Sequence, residues 1–126
     1  MNPQIAVVDD DCAVREALTR LLETSSYEVQ TFAGAIEFIG SLSQRKPDCI
    51  VVDLQMPDMT GLELQHHLTR ASILIPVIVV TAYDEPGSRE RCLAAGAVDY
   101  LLKPLRKAVL VAAINTAITG RTNKQA

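Results

Sequence analysis

Three aspartates, Asp9, Asp10 and Asp11, directly follow the apolar run Ile5-Ala6-Val7-Val8. A fourth, Asp53, ends the uncharged run Cys49-Ile50-Val51-Val52. Thr81 closes a further apolar run, Val77-Ile78-Val79-Val80, and Lys103 closes Tyr100-Leu101-Leu102. Short apolar runs bounded by turn-forming residues read as strands buried on both faces, as in parallel sheets. In such a sheet the carboxyl ends of the strands share one edge, where open α/β sheets hold their ligands. A lone aspartate at a strand end is ordinarily a cap or turn former, and Asp11 reads as a cap at a helix start. The joint placement of Asp9, Asp10, Asp53, Thr81 and Lys103 is what that ordinary reading leaves unexplained.

Carboxylates held close together raise one another's pKa and destabilise a fold unless their charge is neutralised. Lys103 offsets one charge. Mg²⁺ suits the remainder, because it takes one or two carboxylates together with water and phosphate oxygens. The strand ends therefore read as an incomplete magnesium site with room for a phosphoryl group. His66 and His67 are neighbours on a helix and point in different directions, so they read as surface or structural residues rather than ligands.

The elements that position these groups follow from periodicity. Val14, Leu18, Leu21 and Leu22 recur at helical spacing and predict a helix from about Cys12 to Glu23. Glu28 to Phe32 alternates like a strand with one wetter face, and Ala35 to Leu42 reads as a short helix. Gly61 to Arg70 predicts a third helix with Leu64 and Leu68 inward. A fourth runs from near Pro86 to Gly96, a strand from Val98 to Leu102, and a closing helix carries Leu110, Ile114, Ala117 and Ile118. This is βα repeated five times. It predicts an α/β fold, a doubly wound five-stranded parallel sheet of flavodoxin-like order 2-1-3-4-5 with helices on both faces.

With 126 residues the chain suits one domain, read as 3–119 followed by a polar tail or linker start at 120–126. A formal charge of −3 carries no nucleic-acid footprint, so direct nucleic-acid binding is not expected of this domain. No apolar run is long enough to span a membrane and the N-terminus lacks a signal-peptide layout, so the expected location is cytoplasmic. The three cysteines, Cys12, Cys49 and Cys92, are scattered and read as reduced thiols packed as small hydrophobes.

Four pieces now stand in order: Val7-Val8-Asp9-Asp10, Asp53-Leu54-Gln55-Met56-Pro57-Asp58-Met59-Thr60-Gly61, Val79-Val80-Thr81-Ala82, and Tyr100-Leu101-Leu102-Lys103-Pro104. Together the chain resembles the receiver domains of two-component response regulators, in some of which a helix-turn-helix output domain follows. The resemblance implies a phosphoacceptor regulatory domain rather than an enzyme acting on a separate substrate. Asp53 would take a phosphoryl group from a phosphohistidine of a sensor histidine kinase. Asp9, Asp10, Asp53 and the backbone carbonyl of Gln55 would hold Mg²⁺. Thr81 and Lys103 would bond phosphoryl oxygens, and Tyr100 would be the aromatic that turns inward on activation. Pro57 and Gly61 would shape the loop after Asp53, and the Lys103–Pro104 bond would be cis. The resemblance further implies a switch on the surface of the fourth helix, fifth strand and fifth helix, a phosphorylation-dependent homodimer there, and DNA binding through a C-terminal output domain. Leu105 departs from the phenylalanine frequent after Lys-Pro in that family, and Tyr83 is a bulky residue placed to gate water.

Two other readings compete. Val7-Val8-Asp9-Asp10-Asp11 resembles the start of a haloacid-dehalogenase-type phosphatase with Asp9 as nucleophile. Against it, Ala13 replaces the usual threonine or valine, no length remains for a substrate cap, and Asp53 is left without a role. A receiver-like interaction module that is never phosphorylated is disfavoured by the complete acidic set and Lys103.

Overall fold

Apolar runs and amphipathic stretches alternate along the chain, and each becomes the element its period dictates. A computed structural model describes residues 2–125. The strands are β1 (Gln4–Val8), β2 (Glu28–Phe32), β3 (Cys49–Asp53), β4 (Val77–Thr81) and β5 (Asp99–Leu102). Between and after them lie α1 (Cys12–Glu23), α2 (Ala35–Ser41), α3 (Gly61–Arg70), α4 (Ser88–Ala94) and α5 (Lys107–Gln125). The strands pair in parallel in the order β2-β1-β3-β4-β5, as the alternation predicts.

Every residue of β3 and β4 is buried, because helices cover both faces of the sheet centre. Side chains of a strand alternate between faces. Val8, Ile50, Val52 and Val79 accordingly pack with Phe38, Leu64 and Leu68 on the side of α2 and α3. Val7, Cys49, Val51 and Ile78 meet Leu18, Leu22, Leu110 and Ile114 of α1 and α5 on the other. Burial pushes the Cys49 thiol up to about 12, and Cys49 and Cys92 are packed as expected, whereas Cys12 at the start of α1 is exposed.

Asp11 caps α1, its side chain accepting from the N–H groups of Ala13 and Val14. Thr60 and Glu63 form a reciprocal capping box at the start of α3. α4 is shorter at both ends than its apolar pattern suggests. Gly87 at its start has φ 82° and Gly96 beyond its end has φ 105°, left-handed conformations that glycine permits and a helix excludes. α5, by contrast, continues through Gly120 to Gln125. Residues 120–125 of the segment read as a polar tail are thus helical, and residue 126 lies outside the described residues. No helix among the described residues is long and apolar enough to cross a membrane.

Candidate functional site

The parallel register brings four strand ends to one edge. Asp53, the last residue of β3, is level with Val80, and Thr81 ends β4 beside Leu102. The N–H of Lys103 donates to the Thr81 carbonyl at 2.8 Å, which fixes where the lysine leaves the sheet. Asp9 directly follows β1 and donates its N–H to the Phe32 carbonyl at 3.0 Å. Thus the main chain, before any side chain turns, aims these residues at a common point.

There the carboxylates of Asp9, Asp10 and Asp53 offer oxygens that all lie within 4.8 Å of one another. Asp9 is buried at 1% exposure and engaged on both sides: Oδ2 accepts from Lys103 Nζ at 2.8 Å and Oδ1 from the Asp11 N–H at 2.9 Å. Its carbonyl accepts from Arg15 Nη1 at 2.7 Å. Asp53 is held more loosely. Its Oδ2 is 3.6 Å from Lys103 Nζ and its Oδ1 accepts from the Gln55 N–H at 3.3 Å. Asp10 is exposed.

Burial, with the charge of Asp9 behind it, pushes the Asp53 carboxyl above its ordinary range, against the pull of Lys103 and the Gln55 N–H. Burial alone would lower the Lys103 ammonium, but its bond to Asp9 and the charges of Asp53 and Asp9 outweigh that and raise it. One ammonium among three carboxylates leaves the cluster net negative. Hard oxygen donors, a negative charge excess and an exposed member are the donor set that Mg²⁺ favours. His66 is exposed and His67 half-buried, and neither joins this cluster.

The loop after β3 is packed closely against Asp53. Gly61 N–H donates to the Leu54 carbonyl at 2.9 Å. A Cβ at Gly61 would stand 3.0 Å from the Asp53 carbonyl oxygen and 3.2 Å from Leu54 Cα, so any side chain there would press the backbone at Asp53 and Leu54 back by a few tenths of an ångström. Pro57 lies within the same loop, and the Lys103–Pro104 bond is cis.

The two residues expected to switch are placed differently from one another. Thr81 is fully buried, and its hydroxyl faces the chain beyond it, donating to the Tyr83 carbonyl and accepting from the Tyr83 N–H, both at 3.1 Å. Tyr100 already points inward at 4% exposure, and its hydroxyl donates to Asp84 Oδ1 at 3.2 Å. Ring burial therefore does not wait for Thr81 to turn, because Asp84 supplies the buried hydroxyl with an acceptor. Tyr83, two residues past Thr81, is exposed at 66%. Gln55 Nε2 donates to Glu85 Oε1 at 3.4 Å, which joins the loops after β3 and β4. Arg15, Asp84 and Glu85 carried no sequence signal, as their partners are brought to them by the fold.

A family model for the response regulator receiver domain matches residues 5–115. Response regulator protein TmoT of Ectopseudomonas mendocina is 36% identical over 121 residues, covering 94% of this chain and 55% of that protein. Response regulator MprA of Mycobacterium bovis (strain BCG / Pasteur 1173P2) is 38% identical over 125 residues, covering 99% of this chain and 54% of that one. The chain thus spans about half the length of the curated relatives it matches. Among solved structures, FixJ-N superposes with a TM-score of 0.87 at 32% identity, covering 94% of this chain and 95% of that one. The response regulator StyR superposes with a TM-score of 0.85 at 37% identity, covering 99% of this chain and 63% of that one.

Proposed function

The chain belongs to the receiver domain family of two-component response regulators, and on that premise we propose that Asp53 is its phosphoacceptor. The observation that carries this reading is the contrast between the two buried aspartates. Asp9 has both oxygens engaged at 2.8 and 2.9 Å, whereas the nearest donors to Asp53 stand at 3.3 and 3.6 Å. Asp53 is the carboxylate free to form a bond. A phosphatase built on Asp9 would first have to break its pairing with Lys103.

In the proposed step an Asp53 carboxylate oxygen attacks the phosphorus of a kinase phosphohistidine. A P–O bond forms, the P–N bond breaks, and its electron pair stays on the imidazole nitrogen. Such transfers need in-line positioning and charge neutralisation more than covalent work from the protein. Asp9, Asp10, Asp53 and the Gln55 carbonyl oxygen would hold Mg²⁺, which supplies part of that neutralisation. Lys103, already between Asp9 and Asp53, supplies the rest and swings its ammonium toward a phosphoryl oxygen. Thr81 offers its one hydroxyl proton to another.

The remaining roles are proposed from the same family reading. The domain begins at 3, and because α5 runs to Gln125 its last helix extends past 119 into the stretch read as a polar tail or linker start. Its partner is a sensor histidine kinase, its setting the cytoplasm, and its DNA contact, if the full protein has one, lies in a C-terminal output domain. TdiR of Thauera aromatica, 35% identical over 114 residues, is a transcriptional regulatory protein. The surface of α4, β5 and α5 carries Leu102 at 50% and Val109 at 47% exposure, and it is where a phosphorylation-dependent homodimer would form.

Radiolabelled acetyl phosphate with Mg²⁺ separates the readings. Loss of the stable adduct in Asp53→Asn but only slowed labelling in Asp9→Asn supports the receiver. Wild-type labelling retained in Asp53→Asn overturns it.

A further inference from the structure

The loop after β3 is fastened to a second part of the molecule. Asp58 Oδ2 accepts a hydrogen bond at 3.1 Å from the N–H of Ile36, in the first turn of α2. Every helix leaves such N–H groups unpaired at its start, and a side chain at the capping position ordinarily meets them. In α2 that position is Gly34, which has no side chain to offer. Asp58 supplies the carboxylate from 24 residues away instead, counted from Gly34 along the sequence.

Gly34 is not there for its backbone freedom. Its φ of −162° and ψ of 167° are extended values that any residue adopts. A Cβ at Gly34, however, would lie 2.6 Å from Asp58 Oδ2 and 3.0 Å from its Cγ. The absent side chain makes room for the aspartate. A serine or aspartate at position 34 would cap α2 without involving the loop, so the arrangement links two segments where a local cap would have sufficed.

Between this fastening and the Gly61–Leu54 hydrogen bond lies Gln55, whose N–H already reaches Asp53 Oδ1. Leu54 and Met56, both 8% exposed, seat the inner side of the loop in the core. Released at Asp58, the outer side gains conformations that ion binding would have to remove again. Groups behind a metal ligand set its orientation and so its affinity.

We infer that Asp58 is a positioning residue: through its bond to α2, permitted by Gly34, it holds the Gln55 carbonyl and N–H in register with Asp53 for Mg²⁺ binding and phosphoryl acceptance. The inference rests on the phosphoacceptor reading above and adds residues to it. The plainer alternative is that Asp58 only caps a helix and contributes stability.

The test is a Mg²⁺ titration of the full chain followed by backbone amide chemical shifts, with thermal unfolding in parallel. Asp58→Ala is expected to weaken Mg²⁺ binding about tenfold, the lower end of what losing a group behind a metal ligand costs. Asp58→Asn keeps a side-chain oxygen able to accept from Ile36 and should stay within about twofold of wild type. Gly34→Ala displaces the same carboxylate and should match Asp58→Ala. The double variant should be no weaker than either single one, because both changes remove one contact. A lowered melting temperature in Asp58→Ala with wild-type Mg²⁺ affinity and unmoved Gln55 and Met56 amides overturns the inference and leaves a helix cap. Additive losses in the double variant also overturn it. Wild-type amides that ignore Mg²⁺ altogether overturn the phosphoacceptor reading, and the inference with it.

Discussion

Lys103 bonds Asp9 at 2.8 Å. Asp53, the proposed acceptor, is its second partner at 3.6 Å. The lysine therefore serves the fold first, by neutralising an aspartate that is 1% exposed. Removing one partner of a fully buried pair costs roughly 3–5 kcal/mol. Lys103 retains 19% side-chain exposure, so water softens the loss. Lys103→Met should accordingly destabilise the chain by about 2 kcal/mol in urea unfolding, below that range. Millimolar Mg²⁺ should recover more stability in this variant than in wild type, since more carboxylate charge is left unopposed. Unchanged stability would mean the Lys103–Asp9 bond contributes nothing net.

A second prediction concerns pH. The folded pKa of Asp53 is raised above its reference of 3.8, first by burial and then by Asp9. For a raised group the stabilising contribution is present below the unfolded pKa and is lost as pH rises through the folded one. At neutral pH the ionised Asp53 carboxylate thus works against folding. Asp53→Asn should melt higher than wild type at pH 7 without Mg²⁺, by a few degrees at roughly 4 °C per kcal/mol. The difference should shrink as pH falls toward 3.8. Mg²⁺ at saturation should narrow the gap by raising the wild-type midpoint, and less so in Asp10→Asn. A gap independent of pH would show that the charge of Asp53 is not its cause.

Thr81 has one hydroxyl proton, and it is given to the Tyr83 carbonyl. Donating to a phosphoryl oxygen on Asp53 means abandoning Tyr83, whose carbonyl and N–H both lose a partner. Since Tyr100 is already buried, the first segment expected to respond is Tyr83–Glu85 rather than the Tyr100 ring. A near-complete shift between two states needs about 5.5 kcal/mol of differential stabilisation. One hydrogen bond to a charged group supplies roughly 1.5–3 kcal/mol, so Thr81 is necessary without being sufficient. Thr81→Ala should accept phosphate yet show a reduced change in the Tyr83, Asp84 and Glu85 amide shifts. A wild-type response in the fully phosphorylated variant would remove Thr81 from the coupling.

The proposed phosphorylation-dependent dimer would use the face that carries the exposed Leu102 and Val109. Sedimentation should show a larger dimer fraction with the phosphoryl group than without it, and Val109→Glu should abolish the difference. A monomer under both conditions would exclude this face as a dimer surface of the isolated chain.

Much of this was legible in the sequence where the cause is local. The alternation of buried runs with amphipathic stretches predicts a parallel sheet, right-handed crossovers leave it a few doubly wound orders, and residues that end parallel strands share an edge. Asp9, Asp10, Asp53, Thr81 and Lys103 could be found for that reason. What stayed hidden depends on approach in space. Nothing in the order of residues says that Asp58 caps the helix at Ala35, that Gly34 makes room for it, or that Asp84 gives the Tyr100 hydroxyl a partner. Tyr100 was expected to turn inward on activation, and its burial already in place follows from that unseen partner.

The most direct measurement is chemical. After brief incubation with Mg²⁺ and acetyl phosphate, borohydride reduces an acyl phosphate on an aspartate to the alcohol, leaving homoserine at the modified position. Peptide mass mapping should place a single homoserine at position 53, dependent on both Mg²⁺ and the phosphodonor. Homoserine at position 9, or none at all while the folded chain binds Mg²⁺, would contradict the assignment of Asp53 as acceptor.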